Sequence, residues 1–102
     1  MKLSASSGVS DDIKMLKIGT FTLDPPNVLA AISGDTTVTI SGLDVASNWV
    51  VVVQPLSANL TAGLGIASAR VSADDTLTVR FMNASVLAID NGSQTFSYLA
   101  IK

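Results

Sequence analysis

Few side chains in this sequence could do chemistry. General acid–base catalysis and transition-metal binding draw first on His, Cys and clustered carboxylates. The chain holds no His and no Cys, and its eight acidic residues are all Asp. Two adjacent acidic pairs occur, Asp11-Asp12 and Asp74-Asp75. Strand neighbours point to opposite faces, so neither pair makes a carboxylate dyad on a strand, whereas in a turn such carboxylates accept from backbone N–H groups. A Ca²⁺ site needs more oxygen ligands at defined spacing than either pair offers. Ser is plentiful, but no base accompanies it. The four lysines, Lys2, Lys14, Lys17 and Lys102, lie at terminal or exposed-looking positions, and no Gly-rich phosphate loop is present. The expectation is a protein that is not an enzyme, with no cofactor, no metal and no small-molecule substrate.

Binding chemistry has three candidates. Trp49 and Tyr98 could stack on a sugar ring, although a Trp followed by four valines also reads as core or subunit interface. Arg70 and Arg80 fall on two neighbouring strands, where they could meet aspartates of a neighbouring molecule or stay solvated. The sequons at Asn59, Asn83 and Asn91 would matter only in a eukaryotic secretory pathway, and no apolar leader stretch follows Met1 to suggest one.

The elements that would position these residues are strands. From Lys17 the pattern has period two. Gly19–Leu23 places Phe21 and Leu23 on one face, Asp24-Pro25-Pro26-Asn27 ends it, and Val28–Ile32 reads as a short second strand before a turn at Ser33-Gly34-Asp35. Thr36–Ser41 follows with Val38 and Ile40 inward. Trp49–Gln54 shows no alternation, which predicts a central strand covered on both faces, the outer one by another subunit. Leu64–Ser72 and Thr76–Met82 flank Asp74-Asp75 as a hairpin, with Leu77, Val79 and Phe81 inward and Gly65 marking a bulge or close approach. Thr95–Ile101 closes the chain. The prediction is all-β: a small antiparallel β-sandwich or jelly-roll-like domain of seven to eight strands over residues 17–102. Residues 1–16, rich in Ser, Ala and Gly at the start, read as a flexible arm. Within it, Ser10–Lys17 forms either a short helical turn capped by Ser10 or the start of an edge strand near Met15.

Charge sharpens the functional reading. Only 14% of residues are charged, against about 25% in typical domains. A monomer of this mass exposes roughly 5,400 Å², so its surface is sparsely charged. Some of that surface is expected to be covered by copies of the same chain. The net charge of −2 carries no nucleic-acid signature, and no run approaches the roughly 20 apolar residues of a membrane helix.

The run Leu64-Gly65-Ile66-Ala67-Ser68-Ala69-Arg70-Val71-Ser72-Ala73-Asp74-Asp75-Thr76-Leu77-Thr78-Val79-Arg80-Phe81-Met82-Asn83, followed by Ala88-Ile89-Asp90 and a closing alternating strand, resembles small virion proteins of tailed bacteriophages. These are similar to capsid decoration, or cement, proteins. The resemblance covers the C-terminal two-fifths of the chain and brings no catalytic residues. It implies a virion protein assembled in the host cytoplasm, with two partners: itself, as a homodimer or homotrimer, and the major capsid protein. The expected contact residues are Trp49, Val51, Val53, Arg70 and Arg80, with Met15 and Leu16 at the root of the arm. A tail, fibre or baseplate component and a carbohydrate-binding module are the competing readings.

Overall fold

The computed structural model describes residues 14–56 and 58–102. Six strands form: β1 (Leu16–Leu23), β2 (Ser33–Thr39), β3 (Val50–Pro55), β4 (Leu64–Ala73), β5 (Thr76–Asn83) and β6 (Gln94–Ile101). They build two antiparallel three-stranded sheets, ordered β1-β6-β3 and β2-β5-β4. Strands β1 to β4 alternate between the sheets. The β4–β5 hairpin stays in the second sheet, and β6 returns to lie between β1 and β3. The fold is therefore a jelly-roll-like sandwich.

One core fills the space between the sheets. Phe96 and Phe81, at the centres of their sheets, are fully buried and meet edge to face at 6.1 Å, and Phe21 stacks on Phe96 at 5.6 Å. Leu77 and Val79 are also fully buried, as the alternation in β5 predicts. Burying each such side chain stabilises the fold by about 1.5–3 kcal/mol before conformational entropy is counted. Gly19 lies opposite Tyr98 in the β1–β6 ladder, and a Cβ there would come within 2.9 Å of the Tyr98 ring. The missing side chain makes room for that ring to lie buried beside Phe21.

The structure corrects several expectations. There are six strands because Val28–Ile32 contributes one isolated bridge, Val28 to Ile89. Pro25 and Pro26 precede it, and Ala31 turns the chain at φ 59°. Ser33-Gly34-Asp35 is not a turn but the start of β2, because Met82, Phe81 and Arg80 of β5 supply its ladder partners. Strand β3 is an edge strand, not a central one, and only its Val51 and Val53 side packs on the core. The irregularities in β4 fall between Ile66 and Ser68 and between Val71 and Ala73 rather than at Gly65, where an added Cβ would meet open space.

At the start of the described chain, Lys14 N and Met15 N donate to Lys102 O, and Lys102 N donates to Met15 O. Residues 14–16, assigned to the arm by sequence, thus run alongside the end of β6, and of the two readings of this stretch the strand holds from Leu16. The rest of the arm, including Ser10, Asp11 and Asp12, lies outside the described residues.

Candidate assembly interface

Period-two geometry assigns each strand residue to the core or to the outer face. In β1, β6 and β3 the inward set is Phe21 and Leu23, then Phe96, Tyr98 and Ala100, then Val51 and Val53. The opposite parity is also apolar at one end of the sheet. Ile101 faces Leu16 on one side and Val50 on the other, and Leu99 likewise faces Ile18 and Val52. Two aliphatic rungs therefore cross the whole outer face. Ile18 is 70% exposed, Val50 62% and Val52 55%. The next rung is Thr20, Ser97 and Gln54, so none of these three rungs carries a charged side chain. A shallow hollow of about 320 Å³ lies here, lined by Ile18, Val52, Gln54, Ser97, Tyr98 and Leu99.

The outer face of the other sheet has the opposite character. Arg80 Nε donates to Asp35 Oδ1 at 2.7 Å and Arg80 Nη2 to Asp35 Oδ2 at 3.0 Å. Arg70 lies opposite Thr78, and Ser72 and Thr78 hydroxyls bond at 2.6 Å. The Arg80 hydrogen bond holds the Asp35 carboxyl below the usual carboxylate range, with smaller help from the Arg80 and Arg70 charges and against some desolvation. Apart from Met82, which is 58% exposed at the end of β5, this face is polar. Apolar outer surface concentrates on the β1-β6-β3 sheet, and a contiguous patch of that kind marks a docking surface.

The expected contact residues separate accordingly. Leu16 belongs to the first aliphatic rung and Met15 is exposed beside it. Trp49 and Val53 are buried in the chain's own core, and Val51 packs against that core, so these three are not available to a partner. Arg80 is exposed but ion-paired to Asp35 of its own chain, and Arg70 is exposed. The residues that sequence reasoning missed are Ile18, Val50, Val52, Leu99 and Ile101. Their signal was aliphatic side chains on the parity opposite to the aromatic core positions, in three strands at once.

The remaining polar clusters are tied by hydrogen bonds and ion pairs within the chain. Trp49 Nε1 donates to Asp44 Oδ1 at 3.3 Å, and the Lys102 ammonium sits 5.0 Å from the indole centroid. Asp44 also accepts from Ser47 Oγ and lies 3.5 Å from Lys102 Nζ. The Ser47 hydrogen bond is the main reason its carboxyl is held below the usual range. With Trp49 and Tyr98 both buried, no sugar-stacking platform faces solvent. Asp74 Oδ1 accepts from Val45 N at 2.9 Å and Asp75 Oδ1 from Gly42 N at 2.7 Å, so the hairpin turn clamps a loop distant in sequence. Among the described residues no group of three or more His, Cys, Asp or Glu could hold a metal ion. The Asn83 and Asn91 amides are engaged in internal hydrogen bonds.

No family model, curated protein or solved structure matches this chain.

Proposed function

We propose that this chain is a structural, non-enzymatic subunit that works by docking through the outer face of its β1-β6-β3 sheet. In its specific form the proposal is a decoration protein that binds and stabilises a tailed-phage capsid as an oligomer. The carrying observation is the contrast between the two sheets: two uncharged aliphatic rungs on one outer face, ion-paired and hydroxyl-rich strands on the other. Water disfavours the first surface and solvates the second, so association through the first gains about 25 cal/mol per Å² of apolar area before the costs of association. A shell-binding protein needs such a face and a rigid core, and it needs no active site.

The test joins solution mass to shell binding. Light scattering across a concentration series should give an oligomer, and the oligomer should co-sediment with expanded tailed-phage capsids. The Val52→Lys variant, with a charge at the middle of the face, should lose both behaviours. A wild-type protein that stays monomeric throughout and ignores capsids refutes the proposal. Binding to isolated tails instead of heads would keep the docking face and move the protein to a tail, fibre or baseplate role.

A further inference from the structure

Two open sheets leave four edge strands, here β1, β3, β2 and β4. A plain edge is a template for another strand, and proteins blunt it with charge, inward-pointing ionic side chains or bulges. Three of these edges carry such a device. In β1, Lys17 stands on the core-facing parity with Phe21. In β2, Asp35 is exposed and ion-paired. In β4, Arg70 is exposed and the register breaks twice. Strand β3 has no charge, glycine or register break over residues 50–54, and Pro55 ends it. The phase of its ladder shows which backbone groups lie open. In an antiparallel sheet, a residue that bonds to one neighbour is followed by one whose N–H and C=O point to the other side. Lys102 and Met15 exchange bonds, so the even residues of β6 bond towards β1. Leu56 N donates to Thr95 O, so the odd ones bond towards β3. Val50, Val52 and Gln54 therefore bond to β6, and Val51 and Val53 direct their N–H and C=O groups at the free edge.

We infer that β3 pairs with β3 of a second copy, antiparallel about a two-fold axis at Val52, joining two β1-β6-β3 sheets into one of six strands. The inference deepens the assembly reading of that sheet: it says how copies join, and it leaves the outer face free for the shell. The edge is complementary to itself. With Val52 opposite its own copy, each Val51 N–H meets a Val53 C=O and each Val53 N–H a Val51 C=O. Every open donor of the two valines finds an acceptor, and Pro55, which has no N–H, falls at the rim. Parity agrees as well, since this axis sets even residues opposite even ones. Val52 meets Val52 and Val50 meets Gln54 on the outer face, Val51 meets Val53 on the core side, and no charge is opposed. The Ile18-Leu99-Val52 rung then continues through its copy as one aliphatic row across six strands. Strand β1 of a second copy fits less well. With both outer faces on the same side it would lie parallel to β3, the slightly weaker pairing, and would bring Lys17 to the joint. The paired stretch is far shorter than the roughly 20–30 residues a side of a standard interface, so the dimer dissociates on dilution. Its affinity comes from main-chain bonds, as in other strand additions.

The chain has no Cys, so introduced cysteines report the joint. Val52→Cys falls at a non-hydrogen-bonded pair on the axis, where Cα atoms stand ~4.5 Å apart, within the ~4.4–6.8 Å that a disulfide spans. With oxidised glutathione as oxidant it should give a covalent dimer. Val50→Cys alone should stay monomeric, because Gln54 stands opposite it, and mixed with Gln54→Cys it should cross-link. Amide exchange of the wild-type chain is the second reading. Val51 and Val53 should exchange freely in dilute protein and slow about tenfold or more as concentration drives pairing. Val51→Pro removes an outward donor and takes no ladder bond from β6, so it should raise the dissociation constant about tenfold or more. A Val52→Cys chain that stays monomeric, a Val50→Cys chain that cross-links to itself, or Val51 and Val53 amides equally protected at every concentration overturns the edge pairing. Capsid co-sedimentation that persists in that case keeps the docking face. An edge-paired dimer that ignores capsids upholds this inference and overturns the shell-binding reading.

Discussion

Among the described residues Asn83 is the one polar residue buried with the core, and replacing it tests how the β5–β6 loop is held. In Asn83→Ala three hydrogen bonds go. Val28 O keeps the Ile89 N–H and Leu87 O keeps the Ser85 hydroxyl, so neither carbonyl is stripped. Ser85 N loses the acceptor it has. One part-buried N–H without its partner costs about 1–3 kcal/mol, and the two further bonds about 0.5–1.5 kcal/mol each, which centres the loss at ~4 kcal/mol. For a domain near this size that lowers Tm by roughly 16–32 °C, at 4–8 °C per kcal/mol. Asn83→Asp should cost more despite its closer shape. It sets a carboxylate oxygen where Nδ2 now faces two carbonyl oxygens at 2.7 and 2.9 Å. The assay is urea unfolding, with the midpoint shifting at constant slope. An Asn83→Ala midpoint within about 0.5 kcal/mol of wild type would refute the reasoning and leave the Val28–Ile89 bridge as the loop's anchor; an Asp variant more stable than the Ala variant at pH 7 would refute the assigned bond directions.

Other outcomes follow from the same geometry. Gly19→Val places a Cβ 2.9 Å from Tyr98 Cε1 and should destabilise by about 1–3 kcal/mol, read from a thermal melt; an unchanged melt would mean that the ring swings aside without cost. Asp35 and Asp44 have folded pKa values below their unfolded ones, so the stability they lend is present above the unfolded value near pH 4 and is lost as pH falls through the folded values. Asp35→Asn and Asp44→Asn should each flatten the acid limb of a stability–pH curve measured by denaturant midpoint, and an acid limb as steep as wild type in both would exclude these groups as its source. Asp75→Ala removes the acceptor of Gly42 N and should lower stability by about 0.5–1.5 kcal/mol, with faster amide exchange at Gly42; protection equal to wild type would mean that the loop is held by its backbone bonds alone.

The β4–β5 hairpin could be read from the chain because Thr76–Asn83 alternates cleanly and Asp74-Asp75 carries turn chemistry at the right place. Local pattern decides such an element. The start of β2 could not, since Ser33-Gly34-Asp35 has a turn's composition and becomes strand only by pairing with β5, distant in sequence. Strand β3 failed for a different reason. Four successive valines fit either parity, so the core side is chosen by Val51 and Val53 packing with the aromatic cluster rather than by anything within the run. That choice decided the candidate site: Trp49, Val51 and Val53 carry the core parity, and the exposed aliphatic rungs carry the other. Arg80 was legible as an outward residue, but its partner Asp35 was not, because the pairing depends on a register between strands far apart in the chain.

The position of β6 between β1 and β3 has a consequence for how the molecule is made. Both neighbours leave the ribosome before β6 does, and among the described strands neither has another ladder partner in its sheet. Until residues 94–101 emerge, Leu16–Leu23 and Val50–Pro55 remain unpaired strands with apolar side chains on both faces. The closing pairings, such as Leu16 with Ile101, span nearly the whole described chain, so this sheet forms late and slowly compared with the local β4–β5 hairpin. The nascent chain is most prone to aggregate in that interval, and a holding chaperone would raise its folded yield.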